Sequence, residues 1–501
     1  MSGNKRLIRN TLTLRVGSLL LAAGIWCWCI TAWGATPDSV RITGNAPDYA
    51  GMTLIIETVS HPLLREQEEL TRLTINEDGN YSGAFAIDET TQCTIDLGHY
   101  RGAFYAQPGQ HYQLALPPYK PRPEAERFNP FFEPEIILLG VLTPDAQDFN
   151  ERINDYEIDF EAHYNAYAMT LFNQHNSPLA KRVCEQLDSI HPSGSDSFFI
   201  AHKHFRASRL YALAMRRLKR QHINRFFSNE PVRYRMPAYW DSFNETFKDF
   251  FAYYFQSPSG KRFRMAFNEG APYDSLSLIM KNDTLFTRDD LRETVMIRAL
   301  YDAYYTGIYD EKRINDLLTQ MTERAQCHQT RHLARRIIDR INRLKTGTIA
   351  PPLEALNTNG KIISLADFRG KFVYLNFMHT QNYACKKQLQ ALAAIARELK
   401  RDLVVLTVLA DENDQPAFDY MLKNNFKWEV LHFGGNGRIL SDYNIKAMPM
   451  YYLIDPDGNL ALSPAPAPEE NFAERFIEVQ RNYKNNKTRM TPDKQRSIFD
   501  M

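Results

Sequence analysis

The apolar periodicity of this 501-residue chain changes twice, and each change demands a different architecture. Between residues 38 and 120, apolar and polar residues alternate in short runs at 40–42, 53–57, 70–75, 81–87, 94–97 and 112–116. Gly44-Asn45, Asp78-Gly79-Asn80 and Pro108-Gly109-Gln110 punctuate them. Period-two runs bounded by Gly and Asn predict a small antiparallel β-sandwich. A proline-rich stretch over 117–134 ends that pattern, and from Thr143 the spacing becomes helical. Thr143-Pro144-Asp145 offers a cap and a first-turn proline. Ile153, Tyr156, Phe160, Tyr164, Tyr167 and Leu171 then recur three or four residues apart. Similar faces continue to Leu344, so residues 121–345 are expected to form an α-helical domain. Residues 347–485 alternate β and α character, which implies a sheet with helices on both faces. Residues 486–501 read as a polar tail. Three parts also suit the length, since one core does not grow to this size.

Residues 1–34 read as a signal peptide. Lys5, Arg6, Arg9 and Arg15 precede an apolar run over 16–33, and Ala32-Trp33-Gly34 places small residues at the two cleavage-critical positions. An uncleaved anchor is the alternative, because the run is close to the shortest membrane span. Gly24-Ile25-Trp26 lacks the small residue expected ahead of a lipidated Cys27. No later stretch reaches spanning length, so no membrane span is expected after cleavage. Loss of the signal removes Cys27 and Cys29 and leaves Cys93, Cys184, Cys327 and Cys385. In an oxidising compartment these could pair in three ways. Their wide spacing forms no metal-ligand cluster, and neither metal nor cofactor is expected.

Lys and Arg (60) nearly balance Asp and Glu (59), so nothing points to nucleic acid. In the helical part, His202 and His204 cannot share a helix face at their spacing. His328 and His332 can share one, but no third ligand stands nearby. The run Arg216-Arg217-Leu218-Lys219-Arg220 reads as an exposed helix face or a patch for acidic ligands.

The third part carries the chemistry. Lys371-Phe372-Val373-Tyr374-Leu375-Asn376-Phe377 predicts a buried strand, and 385–400 a helix with Leu389, Leu392, Ile395, Ala396 and Leu399 on one side. A second apolar strand covers 402–409, a helix 415–424 and an extended run 428–433. A strand over 451–454 ends at the turn Asp455-Pro456-Asp457-Gly458, and 469–483 forms a closing helix. The lead-in Leu365-Ala366-Asp367-Phe368-Arg369-Gly370-Lys371 resembles that of the periplasmic thioredoxin-like (TlpA/ResA) family. So do Asn376-Phe377, Met448-Pro449 and Leu453-Ile454-Asp455-x-Asp457-Gly458. The resemblance spans about 135 residues and implies an α/β thioredoxin fold. Residues 76–86 and Pro108-Gly109-Gln110 likewise resemble the β-domain preceding thioredoxin domains in exported proteins of Bacteroidetes-type bacteria.

The active-site motif departs from the family. Where the family reads Phe-Trp-Ala-x-Trp-Cys-x-x-Cys, this chain reads Phe377-Met378-His379-Thr380-Gln381-Asn382-Tyr383-Ala384-Cys385. By resemblance Asn382 stands at the attacking cysteine and Cys385 at the resolving one. Disulfide exchange begins with a thiolate stabilised at a helix start, and the second cysteine resolves the mixed disulfide. An Asn can cap the helix in the same place, but it cannot attack sulfur. The resemblance further implies a cis bond before Pro449, which sets the Met448 backbone opposite the helix start where substrate chains lie. An ordinary trans proline is the alternative.

Three functions stay open. In the first, the domain is redox-impaired and its cleft, formed by Asn382, Met448 and Pro449 with His379 and Tyr383 in the loop, binds a protein or peptide by backbone pairing. In the second, Cys385 retains thiol chemistry, with a remote cysteine as partner and His379 as a base. In the third, Cys385 serves a peroxidase-like site, although Met378 and Asn382 replace the proline and Thr/Ser of that pattern. The resemblance implies a Gram-negative periplasm or cell envelope and a role in protein-thiol homeostasis.

Overall fold

The structure is a computed structural model describing residues 39–122, 134–215, 219–411, 413–435 and 437–490. The signal segment, with Cys27 and Cys29, lies outside the described residues, as do positions 216–218 of the basic run and the tail beyond 490.

The amino-terminal part holds strands β1 (Ser39–Asn45), β2 (Thr53–His61), β3 (Glu66–Thr74), β4 (Asn80–Ala86), β5 (Thr91–Leu97), β6 (Tyr100–Ala106), β7 (His111–Ala115), β8 (Glu135–Leu138) and β9 (Gly140–Val141). They make two sheets, ordered β4-β1-β7-β9 and β3-β2-β5-β6-β8. Ile42 and Tyr112 from the first sheet bury one core with Ile56, Ile95 and Phe104 from the second. The purely antiparallel expectation is corrected, because β1 runs parallel to β7 and β6 parallel to β8. In each case a long stretch of chain separates the partners, which lets the later strand return in the same sense. β6 escapes a period-two reading because Gly102 to Ala106 are buried without alternation. β8 and β9 lie in the stretch that periodicity assigned to helices, and they complete the two sheets.

Helices then run from Pro144–Gln174 to His328–Asn342. Thr143 precedes the first, but its hydroxyl accepts the Gln113 N–H at 2.9 Å and makes no cap bond to the helix. Aromatic packing fills the interior, with Phe205 edge-on to Tyr239 at 4.7 Å and Phe243 against Phe247 at 4.6 Å. Buried Arg206 answers two carboxylates, Glu157 and Asp241, each at 2.7 Å. The tip of the β2–β3 hairpin docks on the last helix of this bundle. Arg340 donates to the Leu64 carbonyl at 2.7 Å, and Arg336 pairs with Glu66.

The carboxy-terminal part is a seven-stranded sheet of β10 (Glu354–Asn357), β11 (Ile362–Ser364), β12 (Phe372–Met378), β13 (Leu403–Leu409), β14 (Glu429–His432), β15 (Met450–Ile454) and β16 (Leu460–Leu462). Its order is β11-β10-β14-β13-β12-β15-β16. β12, β13 and β14 are parallel neighbours, whereas β15 is antiparallel to β12. Central β12 is buried at every position, which explains why its sequence is apolar throughout except for Asn376. One core lies on each face of the sheet. The joint to the helical part is stitched to β16. Gly347 N–H donates to Leu460 O at 2.7 Å, Leu460 N–H to Thr348 O at 2.8 Å, and Ala350 N–H to Gly458 O at 3.0 Å.

Candidate functional site

The site forms where two parallel neighbours, β12 and β13, both end. In open α/β sheets this carboxyl edge is where ligands gather. The strands are locked together beneath it by a buried polar chain. Trp428 donates to the Thr407 hydroxyl at 2.8 Å, and that hydroxyl donates to the Asn376 side-chain carbonyl at 2.7 Å. The Asn376 amide in turn reaches Leu406 O at 3.1 Å.

Past Met378 the chain turns through four residues into the helix Tyr383–Glu398. Asn382 is the N-cap of this helix. Its Oδ1 accepts the N–H of Ala384 at 2.8 Å and of Cys385 at 3.3 Å. It thereby satisfies two donors that a helix start otherwise leaves free. Tyr383, next in the chain, is 83% exposed. Cys385 is 0% exposed, set among Leu389, Met378 and Tyr451. Burial pushes its thiol up to about 11; a backbone hydrogen bond from His379 opposes the rise and the charge of Asp411 adds to it. The Met448–Pro449 peptide is cis and stands immediately before β15, the antiparallel neighbour of β12.

Beside the thiol lies a buried polar cluster that sequence reasoning missed. The Thr380 N–H donates to both Asp411 carboxylate oxygens, at 3.1 and 3.0 Å, and its hydroxyl donates to Asp411 Oδ1 at 2.5 Å. His432 donates from Nε2 to the Asp411 carbonyl at 2.6 Å and accepts the Gly434 N–H on Nδ1 at 3.1 Å, which fixes its neutral tautomer. His379 Nδ1 accepts the Gln381 N–H at 3.2 Å and lies 3.4 Å from Asp411 Oδ1. The available signal was Asp411 itself, the first carboxylate after the apolar run of β13, at the strand end where sites form.

Of the residues singled out in the sequence, His379, Asn382, Tyr383 and Cys385 lie in this loop and helix start, and Met448 packs against the core that holds Cys385. His202, His204, His328 and His332 lie instead on helices of the middle part. Asn382 and Tyr383 face solvent, whereas His379 and Cys385 are interior. Cys93, Cys184, Cys327 and Cys385 are all free thiols, and no disulfide occurs among the described residues. Cys93 sits in the core of the amino-terminal sheets. Among the described residues, no three His, Cys, Asp or Glu side chains converge as a metal site, and no helix is long and apolar enough to cross a membrane.

Known proteins similar to this chain match its carboxy-terminal part. The AhpC/TSA family matches residues 346–463. The thiol-disulfide oxidoreductase ResA of Bacillus thuringiensis subsp. konkukian (strain 97-27) is 31% identical over 119 residues, covering 24% of this chain and 68% of its own length. ResA of Bacillus subtilis (strain 168) is 29% identical over 118 residues, 23% of this chain and 65% of its own. A crystal structure of the thioredoxin domain of a thiol-disulfide oxidoreductase from Bacteroides vulgatus is 22% identical. It covers 27% of this chain and 99% of that one, with a TM-score of 0.26.

Proposed function

The chain belongs, through its carboxy-terminal domain, to the family of ResA-type thiol-disulfide oxidoreductases, and from that premise we propose that its cleft binds a polypeptide without exchanging disulfides. One observation carries this reading: Asn382 caps the helix where a nucleophilic thiol is needed, and Cys385 is wholly buried behind it. A thiol held near 11 offers almost no thiolate at neutral pH. In this reading Asn382 completes the helix start, and the Met448 backbone before Pro449 pairs with an extended client. Exposed Tyr383 supplies an aromatic contact at the rim. A peroxidase-like reaction is disfavoured because Met378 and Asn382 replace the residues that pattern requires. We read the two amino-terminal sheets as a sandwich, residues 1–34 as an export signal, and the cell envelope as the place of action.

Insulin reduction with a dithiol regenerant tests the proposal. The wild type and Cys385→Ser should both match the dithiol alone. Turnover by the wild type that disappears in Cys385→Ser would establish an active enzyme and end the binding-only reading.

A further inference from the structure

A cleft of about 1220 Å³ opens where all three parts of the chain meet. Its walls are the β2–β3 hairpin tip, the ends of the helices Asp289–Thr306 and His328–Asn342, and the segment leading towards Met448. Six cations line it, namely Arg65, Arg336, Arg340, Arg343, Lys345 and Lys446. Only three carboxylates do so: Glu66, Asp339 and Asp442. The surplus is local, because the whole chain carries a net charge of only +1.

Part of the charge is used to hold the walls. Glu66 takes Arg336 and Arg340, Asp442 takes Arg343 at 3.5 Å, and Lys345 reaches Glu311 at 2.7 Å. Arg65 and Lys446 are exposed and have no carboxylate within 4.0 Å among the described residues. Arg65 also has a φ of 51°. Glycine adopts that left-handed conformation more readily than arginine does, and here it turns the hairpin tip, where the Arg65 N–H donates to the His61 carbonyl at 3.0 Å. Tyr301, Tyr304 and Tyr305 line the same cleft, with ring centroids 5.2 Å apart for Tyr301–Tyr305 and 5.3 Å for Tyr304–Tyr305. Tyr305 is 61% exposed. Arginine and tyrosine are, with tryptophan, the residues enriched among the anchors of protein interfaces.

We infer that this cleft binds an acidic polypeptide segment, with carboxylates on Arg65 and Lys446 and an apolar side chain on Tyr305. The volume exceeds the roughly 300–1,000 Å³ typical of small-molecule pockets, so an extended chain suits it better. Lys446 precedes Met448 by two residues, at most about 7 Å of extended chain. A segment lying in the cleft can therefore continue onto the Pro449 turn. The inference does not require Cys385 to be silent: turnover in the insulin assay would end the binding-only reading of the Pro449 cleft and leave peptide binding in this cleft untouched.

The test is fluorescence anisotropy on the full chain, using a fluorescein-labelled decapeptide of alternating Glu and Leu and its Lys-for-Glu counterpart. Saturable binding of the acidic peptide is expected, weakening as salt rises. Arg65→Gly combined with Lys446→Glu should weaken it about tenfold, through two exposed charge contacts and one new repulsion. Arg65→Gly relieves the backbone at that position, so a maintained or raised Tm shows that lost affinity is not lost folding. Tyr305→Ala should weaken binding independently. Equal binding of the two peptides, or an unaffected double variant, would overturn the inference. So would stronger competition by polygalacturonate or oligo-dT than by unlabelled acidic peptide, which would make the cleft a general polyanion site.

Discussion

Asn382→Cys is the most informative single change in this protein. The new thiol would sit at the helix start, where the Ala384 and Cys385 N–H groups now bond Asn382 Oδ1. Cysteines in such positions have pKa values of about 3.5–7.5. At the upper end, about a quarter of the thiol is ionised at pH 7. Cys385, pushed up to about 11, is ionised in roughly one molecule in ten thousand. The gain in thiolate is therefore about 2,000-fold. Lower basicity reduces intrinsic nucleophilicity by roughly fortyfold over that interval, for a Brønsted slope near 0.45. A net gain of about fiftyfold remains before access is considered, and access favours the exposed position 382 over the buried position 385. Iodoacetamide labelling at pH 7, read by mass spectrometry, measures it directly. Asn382→Cys with Cys385→Ser isolates the new thiol, and Asn382→Cys alone should recover insulin reduction. Loss of the Asn cap should lower stability by about 1 kcal/mol, which circular dichroism can follow. If residue 382 labels no faster than a cysteine in a short peptide, or if Cys385 labels quickly in the wild type, the reasoning about this helix start is wrong.

Two further outcomes follow from buried polar groups. Burial, with Arg336, His332 and Arg235 nearby, lowers His61 to about 3, and its ring packs edge-on to Trp240 at 5.0 Å. The unfolded chain takes up this proton near pH 6.5 and the folded chain only near 3, so stability is present above 6.5 and is lost as pH falls through that window. Between pH 7 and 5 the loss from His61 is at most about 2 kcal/mol, and urea midpoints should show a shallower decline in His61→Gln. Asn376→Ala leaves the Thr407 hydroxyl without its acceptor inside the sheet. It should cost about 2–4 kcal/mol by urea denaturation.

The sequence carried the carboxy-terminal architecture because its signals there are local. The apolar run ending at Phe377 becomes β12, and the turn at Asp455 closes with Gly458 N–H on Asp455 O. The helix begins at Tyr383, two residues before the apolar face that announced it, because Asn382 supplies the cap. What remained hidden depends on partners far along the chain. β6 shows no alternation, and β8 finds its neighbour only through a parallel pairing with β6. The site was legible as a motif around Asn382 and Cys385, but not as an environment. Asp411, Thr380 and His432 meet only when β12, β13 and β14 are side by side. No spacing within one segment encodes that meeting, nor the cleft that three separate segments enclose.

The stitched joint at residues 347–350 has a consequence for how the domains can be separated. β16 is the outermost strand of its sheet, and the joint covers part of its free edge. An uncovered edge is a template on which another chain can pair. The tether thus acts as a guard as well as a connector. Replacing it with a slack glycine-serine spacer would loosen the orientation of the carboxy-terminal domain and also bare that edge, so self-association would be the first symptom of cutting the domain free.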